Sequence, residues 1–254
     1  MSTFKPDWSS PSNIGALVTN REGGVSSSPF ASFNLGDHVG DAIENVQVNR
    51  AILRQSLPSD PIWLKQVHGI AVSTPSDRLV NPTAVIEADA AVTNTPGEVL
   101  AIMTADCLPV LFASKDGKVI GAAHAGWRGA CNGVLENTVS QMLALEPGLI
   151  AKDLLVWLGP AIGSQSFEIR EEVLQAFIQS GQEIPSEAFK PIFKKPGKYL
   201  ADLYLLAKSR LNALGIVSID GGTFCTYQDH RFFSYRRDGV TGRFASLIWI
   251  NPQT

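Results

Sequence analysis

The chain has 254 residues, 44% of them hydrophobic and 18% charged, with a formal net charge of −3. Such a composition builds a globular fold with a sizeable core, as one large α/β domain or two small ones. It leaves no basic footprint for nucleic acid. No apolar run approaches the roughly 20 residues of a membrane helix, because the longest candidate, 99–113, is broken by Thr104, Asp106 and Pro109.

Residues 15–19 read as the first strand. Asp41 with Glu44 forms an N-terminal D-x-x-E signature, after which Ile43, Val46, Leu53 and Leu57 fall on one helical face. Strand patterns then follow at 62–67, 88–93, 99–104, 110–113 and 119–124, without an obvious helix between Asp60 and His124. This order predicts a mixed, largely antiparallel sheet with helices grouped outside it. After Gly129, Leu135, Val139 and Met142 recur at i, i+4 and i+7, a second helix. Residues 154–158 form the next strand. A third helix carries Leu203, Ala207, Leu211 and Leu214 before Gly215, its expected stop. Strands are expected at 216–219, 232–236 and 244–250, with an edge hairpin turning at Asp238-Gly239. Stretches 75–83 and 181–198, rich in Pro, Ser and Lys, read as surface loops. Neither has the length of a linker, and one domain, 1–254, is expected.

Three short motifs end apolar runs and carry reactive side chains: His68 in KQVHG, Cys107 in TADCLP and His124 in AHAGWRG. Two imidazoles and a thiolate are the ligand set of a three-coordinate catalytic zinc site, with a fourth position for water or substrate. Against this, a lone cysteine is usually a small buried apolar residue, the description that suits Cys131 and Cys225. The chain has four histidines. His38, in LGDHVGD, is a candidate proton shuttle or a support for the ligands, and His230 reads as a solvated loop residue. Beside His124 lie Gly126, Gly129 and Arg128, whose planar fork matches phosphate or carboxylate just before a predicted helix. Arg21, in TNREGGVS, marks either a binding loop or a turn-rich connection. The segment FFSYRRDGVTGR, with Tyr235, Arg236 and Arg243, fits either a stacked base with an anion or a packed hairpin with snorkelled arginines.

KQVHG, ADAAVTNTPG, MTADCLPVLF, AAHAGWRG, WLGPAIG and FFSYRRDGVTGR together resemble the YfiH-like, or laccase-domain, family, over nearly the whole chain. Members were first labelled multicopper polyphenol oxidases. The resemblance implies a four-layer α/β/β/α sandwich related to the catalytic fold of cytotoxic necrotizing factor. It implies phosphorolysis of adenosine, inosine and methylthioadenosine, and deamination of adenosine. Carried onto this chain, the metal ligands fall on His68, Cys107 and His124, holding one zinc per chain, with copper as an occupant in vitro. Within that chemistry Arg128 is a candidate for phosphate and Asp106 for proton transfer. The expected partners are purine nucleosides and phosphate, with neither nucleic acid nor membrane. A monomer or weak homodimer is expected. Wide cysteine spacing and a first segment without secretory-signal character add a cytoplasmic location.

Three other readings compete. A multicopper oxidase needs a cysteine-bearing type-1 centre and a further cluster of many imidazoles, which four histidines do not supply. A cysteine hydrolase, with Cys107 as nucleophile and His124 or His68 as base, leaves the second histidine without a role. A non-catalytic ligand-binding module predicts an occupied pocket and no turnover.

Overall fold

Two mixed sheets carry the structure, a computed structural model that describes residues 1–80 and 85–252. The first sheet has five strands in the order Thr3–Phe4, Ile14–Thr19, Phe244–Ile250, Val99–Thr104, Pro61–Ile62. The second has six, in the order Ser218–Gly221, Leu154–Leu158, Leu108–Ser114, Ile120–Ala125, Ala90–Thr93, Val72–Ser73. The pairings are mostly antiparallel. Leu154–Leu158 with Ser218–Gly221, Ala90–Thr93 with Val72–Ser73, and Val99–Thr104 with Pro61–Ile62 are the parallel ones within these sheets.

Three apolar clusters hold these sheets. Leu100, Ile102 and Ile248 of the first sheet pack with Leu111, Ile120 and Trp157 of the second. The second sheet's other alternation, with Val92, Val110, Phe112 and Val156, packs on Leu135, Val139 and Met142 of Val134–Leu145 and on Leu206 and Leu211 of Leu203–Ala213. The first sheet's other alternation, with Ala101, Met103, Ala245 and Leu247, packs on Leu53 of Ile43–Arg54. Both sheets are covered on both faces, so their central strands are buried at every position rather than at alternate ones.

Several expectations change. Helix Ile43–Arg54 forms, but Ala42 is its N-cap with no side-chain cap. The Asp41 carboxylate accepts instead from Ser26 Oγ at 2.6 Å and Asn34 Nδ2 at 2.9 Å, closing the preceding loop. The helix expected after Gly129 begins earlier, as Trp127–Asn132, breaks at Gly133 (φ +103°) and resumes as Val134–Leu145. Arg128 therefore lies inside the first of these helices, not before it. The run expected at 62–67 divides into Pro61–Ile62 and Leu64–Lys65, which belong to different sheets.

The strand expected at 232–236 and its hairpin are absent. Phe232 and Phe233 are both buried, so the alternation carries no strand. Ser234 caps a short helix, Tyr235–Asp238, by accepting from the N–H of Arg237 at 3.2 Å. The loop expected at 75–83 contains helix Pro75–Val80, with residues 81–83 outside the described ones. The stretch 181–198 contains a 3-10 turn, Ser186–Ala188, and strand Phe189–Pro191.

Candidate metal centre and cleft

Strand register brings two of the three candidate ligands together. His124 pairs with Pro109 and Ala125 with Leu108, so Cys107, immediately before Leu108, emerges at the end of the sheet where His124 lies. Asp106 turns the chain there with φ +99°, a left-handed conformation that a non-glycine residue adopts at a cost. Its carboxylate is engaged at both oxygens. Oδ1 accepts from Thr226 Oγ1 at 2.6 Å and Oδ2 from the N–H of Arg236 at 2.6 Å.

His68 arrives from a loop, held by one buried acid. His68 itself has φ +61°, which turns three successive N–H groups toward a single point, an anion-binding nest. Asp89, fully buried, fills it: its carboxylate accepts from Val67 at 3.1 Å, His68 at 2.9 Å and Gly69 at 2.6 Å. The same carboxylate accepts from Nδ1 of His124 at 2.8 Å. One side chain thus fixes the ring of one histidine and the backbone of the other. Burial favours the neutral acid of Asp89, but His124 and these N–H groups outweigh it and hold the carboxyl below its ordinary range.

With Nδ1 of His124 committed to Asp89, its Nε2 is the remaining ligand atom, the arrangement found behind metal-bound histidines. Nε2 of His68 lies 3.7 Å from Sγ of Cys107, and the two imidazole rings meet edge-on with centroids 4.8 Å apart. One donor atom from each of His68, Cys107 and His124 lies within 4.8 Å of the others. Tetrahedral zinc with ordinary bond lengths places sulfur and nitrogen about 3.5 Å apart, close to the observed contact. A Cβ on Gly126 would stand 3.0 Å from Cys107 Sγ and 3.0 Å from His68 Cδ2, so a side chain there would press on both candidate ligands. The donor set fits a metal ion. Among the described residues this is the one such cluster of three or more His, Cys, Asp and Glu side chains.

Cys107 and His124 also shift one another's proton affinity. Burial raises the Cys107 thiol, but the charge and hydrogen bonds of His124, with those of His68, outweigh it and lower the thiol to about 6. Burial lowers the His124 imidazole, while Cys107 and Asp89 outweigh it and raise it to about 9.

The cluster opens into a cleft of about 400 Å³, within the size range of small-molecule sites. Trp127, Phe167 and Tyr235 supply flat walls, and Arg128, Arg236, Arg243 and His38 supply polar ones. Arg128 is exposed and stacks on Trp127, 4.3 Å from the ring centroid. Arg236 donates to the carbonyl of Glu168 at 2.6 Å and lies over Phe167. Arg21 does not line the cleft. It donates to the carbonyl of Ala31 at 3.0 Å and stacks over Phe233, which makes it a brace for its loop. His230 is exposed outside the cleft, Cys131 is buried, and Cys225 accepts from the N–H of Gly163 at 3.3 Å.

Residues 15–251 match the family model described as multi-copper polyphenol oxidoreductase laccase. The chain belongs to this family, the YfiH-like group. It is 48% identical over 248 residues to an Escherichia coli K12 protein named purine nucleoside phosphorylase YfiH, covering 96% of this chain and 97% of that one. A Haemophilus influenzae protein named purine nucleoside phosphorylase is 47% identical over 253 residues, covering 98% and 100%. Among solved structures, a Neisseria meningitidis protein superposes with a TM-score of 0.89 at 43% identity, covering 98% and 99% of the two chains. A Bacillus licheniformis hypothetical protein, YfiH, gives 0.85 at 31% identity, covering 94% and 93%. These likenesses agree with the mixed α+β fold described above.

Proposed function

We propose that this chain is a zinc-dependent purine nucleoside enzyme. It would phosphorolyse adenosine, inosine and methylthioadenosine to free base and the corresponding ribose 1-phosphate, and hydrolytically deaminate adenosine. The observation that carries the reading is the His68–Cys107–His124 cluster opening into a cleft walled by aromatic rings and guanidinium groups. The names of the relatives at 47% and 48% identity support the phosphorylase half. Deamination, the methylthio substrate and the choice of zinc rest on the donor chemistry and the family resemblance.

His68, Cys107 and His124 would hold one zinc, which when bound supplies Lewis acidity at an oxygen of substrate or water. The remaining chemistry belongs to side chains. Asp89 keeps His124 in the Nδ1–H tautomer. Trp127, Phe167 and Tyr235 present faces on which a purine can stack. In phosphorolysis a phosphate oxygen attacks C1′ as the bond to the base breaks, so a dianion must be held against the sugar; the cleft's arginines provide for it. In deamination water adds at the purine C6 and ammonia leaves. Asp106, with both oxygens engaged, braces the turn that presents Cys107 and would need to release a bond to carry a proton.

Four-layer α/β/β/α packing within one domain, 1–254, is the reading that the three apolar clusters support, together with the proposed kinship to the cytotoxic necrotizing factor fold. A cytoplasmic setting belongs to the same proposal. Among the described residues no helix is long and apolar enough to cross a membrane. A multicopper oxidase is not supported, because the single three-ligand cluster leaves only His38 and His230 as further imidazoles, and His230 lies outside the cleft.

A second reading has its own observation. Cys107 has a lowered thiol, lies 3.7 Å from His68 Nε2 and has the Asp89-backed His124 within 4.8 Å, a thiol, imidazole and carboxylate set that a cysteine hydrolase could use. Metal analysis of protein purified without chelators separates the two. One zinc per chain, with activity lost on chelation and restored by zinc, supports the metal reading. Full activity in metal-free protein contradicts it.

A further inference from the structure

The phosphorylase reading requires a place for a dianion, and the cleft holds several cations. They differ in how their charge is accommodated. Arg128 is exposed, so water solvates it without any ligand. Arg236 is exposed and spends one nitrogen on a backbone carbonyl. Arg243 is different.

Arg243 is drawn into the cleft wall by its surroundings. Its backbone is pinned to the loop opposite: its N–H donates to Asn34 Oδ1 at 2.8 Å, and its carbonyl accepts from Leu35 at 3.0 Å. Its aliphatic stem lies across Gly36, where a Cβ would stand 2.8 Å from Cγ of Arg243. Only a residue without a side chain allows that approach. Nη1 donates to the carbonyls of Thr241 and Gly242, both at 3.0 Å, which fixes the plane of the guanidinium. Among the described residues Nε and Nη2 have no hydrogen-bond partner, and no carboxylate lies within ion-pair distance of the guanidinium. Burial weakens its hold on the proton; Cys107, Asp106 and Tyr235 oppose that effect from the cleft side. Arg243 is half-buried and its Nε and Nη2 open to the cleft, so a bound anion would meet a fixed, partly desolvated fork with no competing counter-ion.

His38 stands on the same loop, two residues beyond Gly36, and also lines the cleft. Its acidic partner within 4 Å among the described residues is Asp37, at 3.5 Å. The loop is held shut from behind by Asn49, which donates to the carbonyls of Ser32 and Asn34 at 3.2 and 2.8 Å.

We propose that Arg243, with His38 beside it, forms the phosphate subsite of the cleft, and that Arg128 is a rim residue on the approach. This deepens the phosphorylase reading and depends on it for the identity of the dianion. A fixed fork with two free donors suits a tetrahedral oxyanion better than a solvated side chain that must be ordered on binding. Gly36 belongs to the subsite as the residue that lets the arginine stem pass.

The test has two arms on the metal-loaded protein. Calorimetric titration with inorganic phosphate measures the subsite directly, without turnover. Steady-state kinetics with adenosine then separate phosphate KM from nucleoside KM. Arg243→Ala should raise both the phosphate Kd and the phosphate KM roughly ten- to a hundredfold, with a much smaller change in nucleoside KM. Arg243→Lys, which keeps the charge but not the fork, should recover part of the loss and serves if the alanine variant does not fold. His38→Gln should weaken phosphate by less than Arg243→Ala, and Arg128→Ala by less still. An unchanged phosphate Kd in Arg243→Ala or, should that variant not fold, in Arg243→Lys would overturn the proposal. So would a larger loss in Arg128→Ala. If the wild type releases no base with phosphate present, the phosphorylase reading fails, and the titration still decides whether Arg243 binds the anion.

Discussion

The two imidazoles of the centre are held by different means. His124 belongs to a central strand, is buried, and reaches Cys107 through the ladder of its own sheet. His68 is exposed, sits on a left-handed residue of a loop, and is kept in place by N–H groups gathered on Asp89. The strand-borne half is positioned by packing that the whole core enforces. The loop-borne half rests on a few polar contacts: the Asp89 carboxylate at His68 itself, and Gln66, which bonds the N–H and carbonyl of Met103 at 2.9 Å each. A centre built this way can be dismantled from either side, and the two routes have different signatures.

The largest effect belongs to Cys107→Ala. It removes the sulfur donor shared by both halves, so metal retention and turnover should both vanish while circular dichroism stays native, because such a site sits on a scaffold that folds without it. Full metal occupancy with lost turnover would instead mark Cys107 as a nucleophile.

Asp89→Asn comes next and probes the loop-borne half. The variant keeps the shape but loses the charge that faces three N–H groups and His124. Metal affinity, measured by chelator competition, should fall roughly ten- to a hundredfold. The Nδ1–H resonance of His124 should shift in the NMR spectrum. An unchanged affinity would mean that the strand-borne half suffices alone.

A smaller change is expected from Thr226→Val, which removes the hydroxyl on Asp106 Oδ1. A hydrogen bond to a charged group is worth about 1.5–3 kcal/mol, and denaturant unfolding should register a loss of that order, with metal content unaltered. Arg21→Ala stands last. Its guanidinium bonds a loop carbonyl outside the cleft, so both KM values should be unchanged and stability should fall by about 1 kcal/mol.

The same contrast explains what could be read in the chain alone. His124 and Cys107 were visible because each ends an apolar run, and a strand that stops at a reactive side chain announces a sheet edge. Strands 99–104, 154–158 and 244–250 stood out for the same reason, being continuously apolar. Asp89 gives no signal of its own, because it falls inside the apolar strand pattern 88–93 and reads there as a stray polar position. Its role depends on the loop holding His68, some twenty positions away in sequence. Helix Glu171–Gln179 leaves little trace in the sequence, because Arg170 stands at its N-cap and only Val173 and Phe177 are buried. The segment after Phe232 has a strand-like composition, but Phe232 and Phe233 are both buried and its fold is decided by Ser234 and by Asp106, which accepts from Arg236, 130 residues later. Local pattern reveals elements that local packing holds; it is silent where one distant polar group does the holding.

The central claim is that the cluster and its cleft act on purine nucleosides with phosphate. Mass-spectrometric product analysis of adenosine and inosine, with and without phosphate, tests it most directly. The account predicts free base and ribose 1-phosphate from both substrates only when phosphate is present, and inosine from adenosine in either condition. Neither product from zinc-loaded protein, with or without phosphate, would contradict it.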